Sequence, residues 1–431
     1  EYGNMPLENV LEMNEDYTKL AYVGSKQPTR GARHFLKELK KLQPSLVDYG
    51  QKKDGRKSSI VLGTLGEERI KMLADLLWSK KGVGKGEPIE ELPVSSLLRL
   101  APGEVLDNIE KAGTNVQERA LLLNNLVEWV QASLEGMDNG GEVLEPWLKG
   151  FAAKLREPAA GPHGASSKRA WSAPLTRLAT AFDQGEALRA LLEAGADKEA
   201  KNSQGETALM IAAQKGKIEA LKTLIRAGAD KEAKNSQGET ALMTAAKKGK
   251  IEALKTLIGA GADKEAQDRW GFTPLMRTAQ TGKVEALQAL LDAGANKEAK
   301  THHGLTALML ATQHGHVPAL QALLGAGANK EAKANRGFTA LMIAAKNGHV
   351  PALQALLDAG ANKETKDHWG YTALMRTAET GKVEALHVLL RVGANKEVQA
   401  KDGSTALMVA AQQGHVPLLQ VLLNAGANKE A

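Results

Sequence analysis

The C-terminal part of the chain repeats itself with a fixed period of 33 residues. Each copy opens on a glycine that is followed two residues later by Thr-Ala-Leu-Met or Thr-Pro-Leu-Met, and it closes on Gly-Ala-Asp/Asn-Lys-Glu. A period of this length indicates an array of small supersecondary units, none of which can bury its apolar face without its neighbours. The opening glycines of the seven copies are Gly205, Gly238, Gly271, Gly304, Gly337, Gly370 and Gly403.

Two short helices are predicted within each copy. In the copy at 205–228, Thr207 is a favourable N-cap, and apolar residues follow at helical spacing until Gly216 ends the helix. A second helix is predicted from Ile218, with apolar residues three and four apart, and Gly228 ends it. The polar residues between Gly228 and the next copy predict a hairpin-like loop.

This pattern resembles the ankyrin repeat, whose unit is a β-turn followed by two antiparallel helices. The resemblance covers residues 172–431 and rests on the period, the Gly-x-Thr-x-Leu opening and the Gly-Ala-Asp/Asn closing. It implies an all-α solenoid of helix-turn-helix units with β-hairpin-like loops, about eight repeats in length. The first of these, from Thr176 to Asp197, is degenerate and lacks two residues.

One departure from the family pattern is systematic. The family's Thr-Pro-Leu-His is replaced by Thr-Ala-Leu-Met, and proline is kept only at Pro274. We expect the methionines to stack as a ladder in the core, where their flexible side chains fill irregular gaps, and not to hold a cofactor. They are Met210, Met243, Met276, Met309, Met342, Met375 and Met408.

The copies differ mainly at the positions that flank the hairpin glycine. Trp, Tyr and Arg most often anchor protein interfaces, and aromatic residues make up only 4% of this chain. We expect the loop tips to line up roughly 10 Å apart along a concave edge and to bind a protein partner. The predicted partner-binding residues are Trp270, Phe272, Arg277, His302, His303, Leu305, Arg336, Phe338, Trp369, Tyr371 and Arg376, with the two first-helix arginines, Arg277 and Arg376, facing the same groove.

The alternative for these aromatic residues is structural. Aromatic side chains at the loop tips would then pack on adjacent hairpins and only stiffen the stack. We favour partner binding, because every aromatic residue after Gly205 flanks a hairpin glycine.

Histidines and charged pairs recur within the array. His316, His349 and His415 occupy a Gly-His position that is structural in the resembled family, and no carboxylate or cysteine completes a metal site near them. We therefore expect no metal. The Lys-Glu pair that closes each copy is interpreted as a solvated ladder.

Residues 1–171 resemble no family that we recognise. The pattern predicts an extended basic arm at 1–57, a small helical domain at 58–157 and a linker at 158–171 that leads into the array at 172–431. Within the helical domain, helices are predicted at Glu67–Trp78, Thr114–Glu135 and Val143–Leu155. The segment Gly82–Gly86 lacks the first glycine and the hydroxyl of a phosphate loop, so no nucleotide site is expected.

Composition excludes several classes of function. The chain has no cysteine, which removes disulfides, thiolate nucleophiles and Cys-based metal sites. No apolar run approaches the roughly 20 residues that span a bilayer, so an integral membrane protein is not expected. An intracellular and by default cytoplasmic location is expected, with the mitochondrial matrix side as the alternative because the chain starts at Glu1 rather than Met.

The favoured function is a non-enzymatic interaction protein, either a scaffold or an accessory subunit of a larger multisubunit assembly. No cofactor and no small-molecule substrate is expected. Two alternatives remain open at this point. One is an enzyme whose helical N-terminal domain is catalytic and whose array selects substrates. The other is a nucleic-acid-associated protein that uses the basic residues 26–85, although the formal net charge of +6 is mild.

Overall fold

The computed structural model describes residues 105, 123, 127, 130, 140–156 and 164–429. The predicted basic arm, the helix at 67–78 and the segment 82–86 lie outside the described residues. Leu123, Val127 and Val130 are helical and buried, at positions within the helix predicted for 114–135. The chain divides into two compact units, residues 1–200 and residues 201–431, and each is described by itself.

Three helices of the first unit are described over their whole length: α1 (Gly140–Arg156), α2 (Gly164–Ala181) and α3 (Gly185–Glu193). Helix α1 packs on α3, with Leu148 and Phe151 fully buried. This confirms the helix predicted for 143–155. Helix α2 starts at Gly164, so the second half of the predicted linker is helical.

The degenerate first repeat differs from the sequence template. Thr176, which aligns with the N-cap threonines of the other copies, lies inside α2, where its hydroxyl donates to the carbonyl oxygen of Ser172 at 2.9 Å. Pro174 occupies the position of the hairpin glycine and is also inside α2. The first repeat therefore starts with a continuous helix and has no hairpin tip.

The second unit contains seven pairs of helices within the described residues, and each pair is one copy of the repeat. The bounds are α4 (Ala208–Lys215), α5 (Ile218–Arg226), α6 (Ala241–Lys248), α7 (Ile251–Gly259), α8 (Pro274–Thr281), α9 (Val284–Asp292), α10 (Ala307–Gln313), α11 (Val317–Gly325), α12 (Ala340–Asn347), α13 (Val350–Asp358), α14 (Ala373–Thr380), α15 (Val383–Arg391), α16 (Ala406–Gln412) and α17 (Val416–Asn424). A short 3₁₀ turn lies at Asn335–Gly337.

The helices begin and end as the sequence predicts. Thr207 accepts a hydrogen bond from the backbone N–H of Met210 at 3.4 Å, and Gly216 ends the helix in the left-handed conformation with φ of 72°. At the end of α5 the N–H of Gly228 donates to the carbonyl of Ile225 at 2.9 Å, and the N–H of the next residue, Ala229, donates to the carbonyl of Leu224. This pair of bonds is a Schellman motif, which satisfies carbonyls at the end of the helix.

The first helices of successive copies pack against each other through leucine, alanine and methionine. Six of the seven predicted ladder methionines, from Met210 to Met375, are at most 1% exposed. Met408 is 41% exposed. Its place in the ladder was predicted wrongly, because in the described structure no further repeat packs on α16.

Polar bonds tie each copy to the next. The Nε2 atom of His316 lies 3.1 Å from the carbonyl oxygen of Gln280, one repeat earlier, and His349 makes the equivalent contact with Gln313 at 3.1 Å. The structural interpretation of the Gly-His histidines is thus confirmed.

The glutamate of the closing Lys-Glu pair also links copies. Glu265 accepts a hydrogen bond from the backbone N–H of Asn296 at 2.8 Å, and Glu298 accepts one from Asn329 at 2.9 Å. The sequence interpretation of this pair as a solvated ladder is therefore incomplete, because the carboxylate caps an N–H group of the next copy.

The methionine ladder gives a matched test of packing energy. We expect Met309→Ala to lower the free energy of unfolding by about 2–5 kcal/mol, because it leaves a cavity between two repeats. Met408→Ala, at the same position of the last described repeat, should cost less than about 1 kcal/mol, because its side chain is already half in water. Urea unfolding followed by circular dichroism measures both, and equal losses would contradict the packing described here.

Candidate functional site

Each hairpin loop is closed by its own backbone. In the copy with Trp270, the N–H of Asp268 donates to the carbonyl of Phe272 at 3.1 Å, and the N–H of Gly271 donates back to the carbonyl of Asp268 at 3.1 Å. Gly271 has φ of 80°, and a Cβ atom there would lie 2.9 Å from the backbone nitrogen of His302 in the next hairpin. The glycine is required by both its conformation and this close approach.

Neighbouring hairpins are joined by one backbone bond per repeat. The N–H of His302 donates to the carbonyl of Trp270 at 3.1 Å, and the N–H of His368 donates to the carbonyl of Arg336 at 3.0 Å. These bonds fix the residue before each hairpin glycine in one line, which we call the tip row. The tip row consists of Gln204, Gln237, Trp270, His303, Arg336, Trp369 and Asp402.

Trp270 and Trp369 are the most exposed of the Trp, Phe and Tyr residues in the second unit, at 44% and 45%. His302, His303 and Arg336 are exposed as well. The aromatic and aliphatic residues after the glycine are half-buried behind the tip row: Phe272, Leu305, Phe338 and Tyr371. The structure thus brings nine of the eleven predicted residues to the loop tips.

Arg277 and Arg376, the remaining two predicted residues, are buried beneath the tips. Asp268 has no exposed side-chain surface, and its Oδ2 atom pairs with the guanidinium of Arg277. Its Oδ1 atom accepts backbone N–H bonds from Trp270 at 2.8 Å and from Phe272 at 3.0 Å. The arginine therefore supports the aspartate that holds the tryptophan loop.

The same arrangement recurs 99 residues later. Asp367 accepts from the N–H of Trp369 at 2.9 Å and of Tyr371 at 3.0 Å, and Arg376 donates its Nε to Asp367 at 2.9 Å. Arg376 also donates to Glu379 at 2.7 Å. We call the pairs Asp268–Arg277 and Asp367–Arg376 the Asp–Arg braces.

The expectation that these arginines face an open groove is corrected by their burial. Arg277 is 7% exposed and Arg376 is 5% exposed. The physical reason is the buried aspartate, since an ionised carboxylate out of water needs a counter-charge within contact distance. The arginines contribute by holding the loop and do not present a charged surface.

Aromatic rings stack on the braces. The guanidinium carbon of Arg277 lies 4.3 Å from the ring centroid of Phe272, and that of Arg376 lies 4.6 Å from Tyr371 and 5.3 Å from Trp369. Contacts of this kind stabilise a ring by about 0.5–2 kcal/mol. Both tryptophan rings thus lie against the arginine of their brace and remain nearly half exposed.

The two braced tips differ in what the preceding repeat supplies. Phe338 packs edge-on against Trp369 with ring centroids 6.3 Å apart. At the second tip, therefore, aromatic side chains of adjacent hairpins do pack on each other, as the structural alternative expects. At the first tip the equivalent residue is Glu239, which is buried 3.7 Å from Arg277 and bonded to Lys247 at 2.9 Å. Burial raises the pKa of Glu239, but the bond to Lys247 and the nearby positive charges outweigh it and leave the pKa below its ordinary value.

Asp268 and Asp367 were missed in the sequence interpretation. A signal for them was present, because aspartate stands three residues before the hairpin glycine only in the two copies that carry tryptophan in the tip row and arginine six residues after the glycine. The equivalent residues elsewhere are Asn202, Asn235, Thr301, Ala334 and Ala400.

The described residues contain no group of three or more histidines and acidic residues placed to hold a metal ion. Within the same residues, no helix combines the length and apolarity that crossing a bilayer needs.

Comparison with protein families gives a match over the whole array. The model described as ankyrin repeats, three copies in length, matches residues 177–268, 243–334, 275–367 and 341–431. The matched ranges contain both braced tips. Comparison with curated protein sequences gives no match.

The charge pairing in the braces can be tested with substitutions to residues that occur at the equivalent positions of other copies. Arg376→Ile should lower the free energy of unfolding by about 3–5 kcal/mol, because it leaves the carboxylate of Asp367 buried without a counter-charge. The double variant Asp367→Asn, Arg376→Ile should be much more stable than the single one. It recreates the pair Asn202 and Ile211 of an earlier copy, where the amide oxygen accepts the same two backbone bonds at 2.9 Å.

Thermal and urea unfolding measure the two variants against the wild type. If the double variant were as unstable as Arg376→Ile, loss of the arginine's packing would explain the effect, and the charge-pairing account would fail.

Proposed function

Because the chain belongs to the ankyrin-repeat family, we propose that it is a non-enzymatic interaction protein that binds a protein partner through the tip row. Ankyrin repeats are a protein-protein interaction module. The proposed role is that of a scaffold or an accessory subunit within a larger assembly. The array supplies a rigid surface, and the residues that differ between copies supply the specificity.

The observation that carries the proposal is the exposure of Trp270 and Trp369 on held loops. A large aromatic ring that is nearly half exposed costs solvation free energy, which a partner recovers when it covers the ring. Tryptophan is among the residues most enriched at interface hot spots, where truncation costs about 2 kcal/mol or more. The Asp–Arg braces support the same conclusion, because a side chain that is already ordered loses less entropy on binding.

A second exposed apolar surface lies at the far end of the array. Val416 is 58% exposed, Leu423 is 37% exposed and Met408 of the same repeat is 41% exposed. The positions of Val416 and Leu423 are Val or Ile and Leu or Ile in every copy of the second unit, so their chemistry does not differ between copies. They therefore serve as a control surface and carry less specificity than the tip row.

The proposal predicts that Trp270→Gln, Trp369→Gln lowers partner recovery at least about tenfold, because two anchors are lost. Glutamine is the residue that the first two copies carry at this position, Gln204 and Gln237, so the hairpins should fold normally. The measurement is affinity purification with quantitative mass spectrometry of tagged wild type and variant.

The matched control is Val416→Gln, Leu423→Gln, which removes two exposed apolar side chains from the end of the array. Circular dichroism should show the same helicity in all three proteins. An unchanged partner set for the tryptophan variant, together with a loss for the control, would overturn the proposal in favour of the end surface.

A further inference from the structure

The four hairpin tips from Trp270 to Trp369 carry one sign of charge. From four residues before each hairpin glycine to one after it, the exposed charged residues are Arg269, Lys300, Lys333, Arg336 and Lys366. The only carboxylates in these segments are Asp268 and Asp367, which have no exposed side-chain surface and are neutralised by the braces. The exposed charge of these tips is therefore entirely positive.

The first and last tips of the second unit are balanced. The first carries Lys201 with Glu206, and the last carries Lys401 with Asp402. The second carries exposed Lys234, while its Glu239 is buried against Lys247. The positive stretch thus begins one copy before Trp270 and includes both exposed tryptophans.

The cations are held at regular spacing. The Nζ atoms of Lys300, Lys333 and Lys366 each donate to a backbone carbonyl one repeat further on, at 3.0, 3.1 and 2.9 Å. Each repeat advances by roughly 10 Å, so the two tryptophans lie about 30 Å apart. An extended peptide advances about 3.3 Å per residue, so every third side chain of such a peptide meets a new repeat.

From this geometry, and resting on the proposed function of the tip row, we propose that the partner segment is an extended acidic peptide with two apolar anchors about nine residues apart. Its carboxylates lie opposite the cations of the four tips, and its anchors cover Trp270 and Trp369. A segment rich in Asp and Glu repels itself and is extended before it binds, which suits a linear row.

The density of charge favours a peptide over a nucleic acid. The tips present about one cation per 10 Å, whereas duplex DNA carries one negative charge per about 1.7 Å. An acidic peptide with a carboxylate at every third residue matches this spacing.

The test is selection from a phage-displayed library of random 14-residue peptides on the immobilised full chain at low salt. The proposal predicts enrichment of peptides with a net negative charge and two apolar residues eight to ten positions apart. Synthetic copies of the enriched peptides are then measured by fluorescence anisotropy, and their affinity should fall several-fold between 50 and 200 mM NaCl.

Two matched variants test charge and anchoring, with Arg336 itself 5.9 Å from the ring centroid of Trp369. Arg269→Ser, Arg336→Asn should weaken the selected peptides about threefold or more at low salt. Serine stands at the equivalent of position 269 in the first two copies, at Ser203 and Ser236, and asparagine tolerates the positive φ of 71° at position 336. Trp270→Gln, Trp369→Gln should weaken the same peptides at least about tenfold.

Enrichment of neutral or basic peptides, or of none, would overturn the inference. Tighter binding of a random single-stranded 20-mer DNA pool would overturn it in favour of a nucleic acid. If enriched peptides depend on the tryptophans but are not acidic, only this inference fails. If acidic peptides bind equally well to the tryptophan variant, both this inference and the proposed function of the tip row fail.

Discussion

The stacking of one repeat on the next in fixed register is the constraint on which the second unit depends. Each helix pair buries its leucines, alanines and methionine only against its neighbours, as the contrast between Met309 at 1% exposure and Met408 at 41% shows. The same register brings the hairpins within reach of one backbone bond per repeat, such as that from His302 to Trp270 at 3.1 Å. A row of side chains along the loop tips is therefore a consequence of core packing.

The Asp–Arg braces are buried ion pairs within an otherwise apolar core, and burying their charges costs desolvation free energy. A buried ion pair loses much of its Coulombic attraction to desolvation and is often no more stable than an apolar pair. Two copies of the repeat carry a brace, and both hold an exposed tryptophan through hydrogen bonds to the aspartate. We interpret the braces as a device for holding the loop and its ring, which core stability alone does not require. The identical spacing of residues in both copies is also what a duplication of 99 residues would leave.

Much of the array could be predicted from the sequence, because its start and stop signals are local. Thr207 and Gly216 define a helix through contacts within a few residues, and the same signals recur in every copy. The burial of Arg277 was not predictable from helical spacing, since it depends on an aspartate nine residues earlier that folds back onto the helix. The first repeat was misread for a similar reason. The Ala-, Gly- and Ser-rich residues 164–171 have the composition of a linker, yet they extend α2.

The central claim, that a partner covers the tips between Trp270 and Trp369, can be tested most directly by site-specific photocrosslinking. The photoreactive residue p-benzoylphenylalanine is placed in turn at all seven positions of the tip row. We predict crosslinks to one partner protein from positions 270, 303, 336 and 369, and none from positions 204 and 237. Equal crosslinking from all seven positions, or crosslinking confined to 204 and 237, would contradict the account.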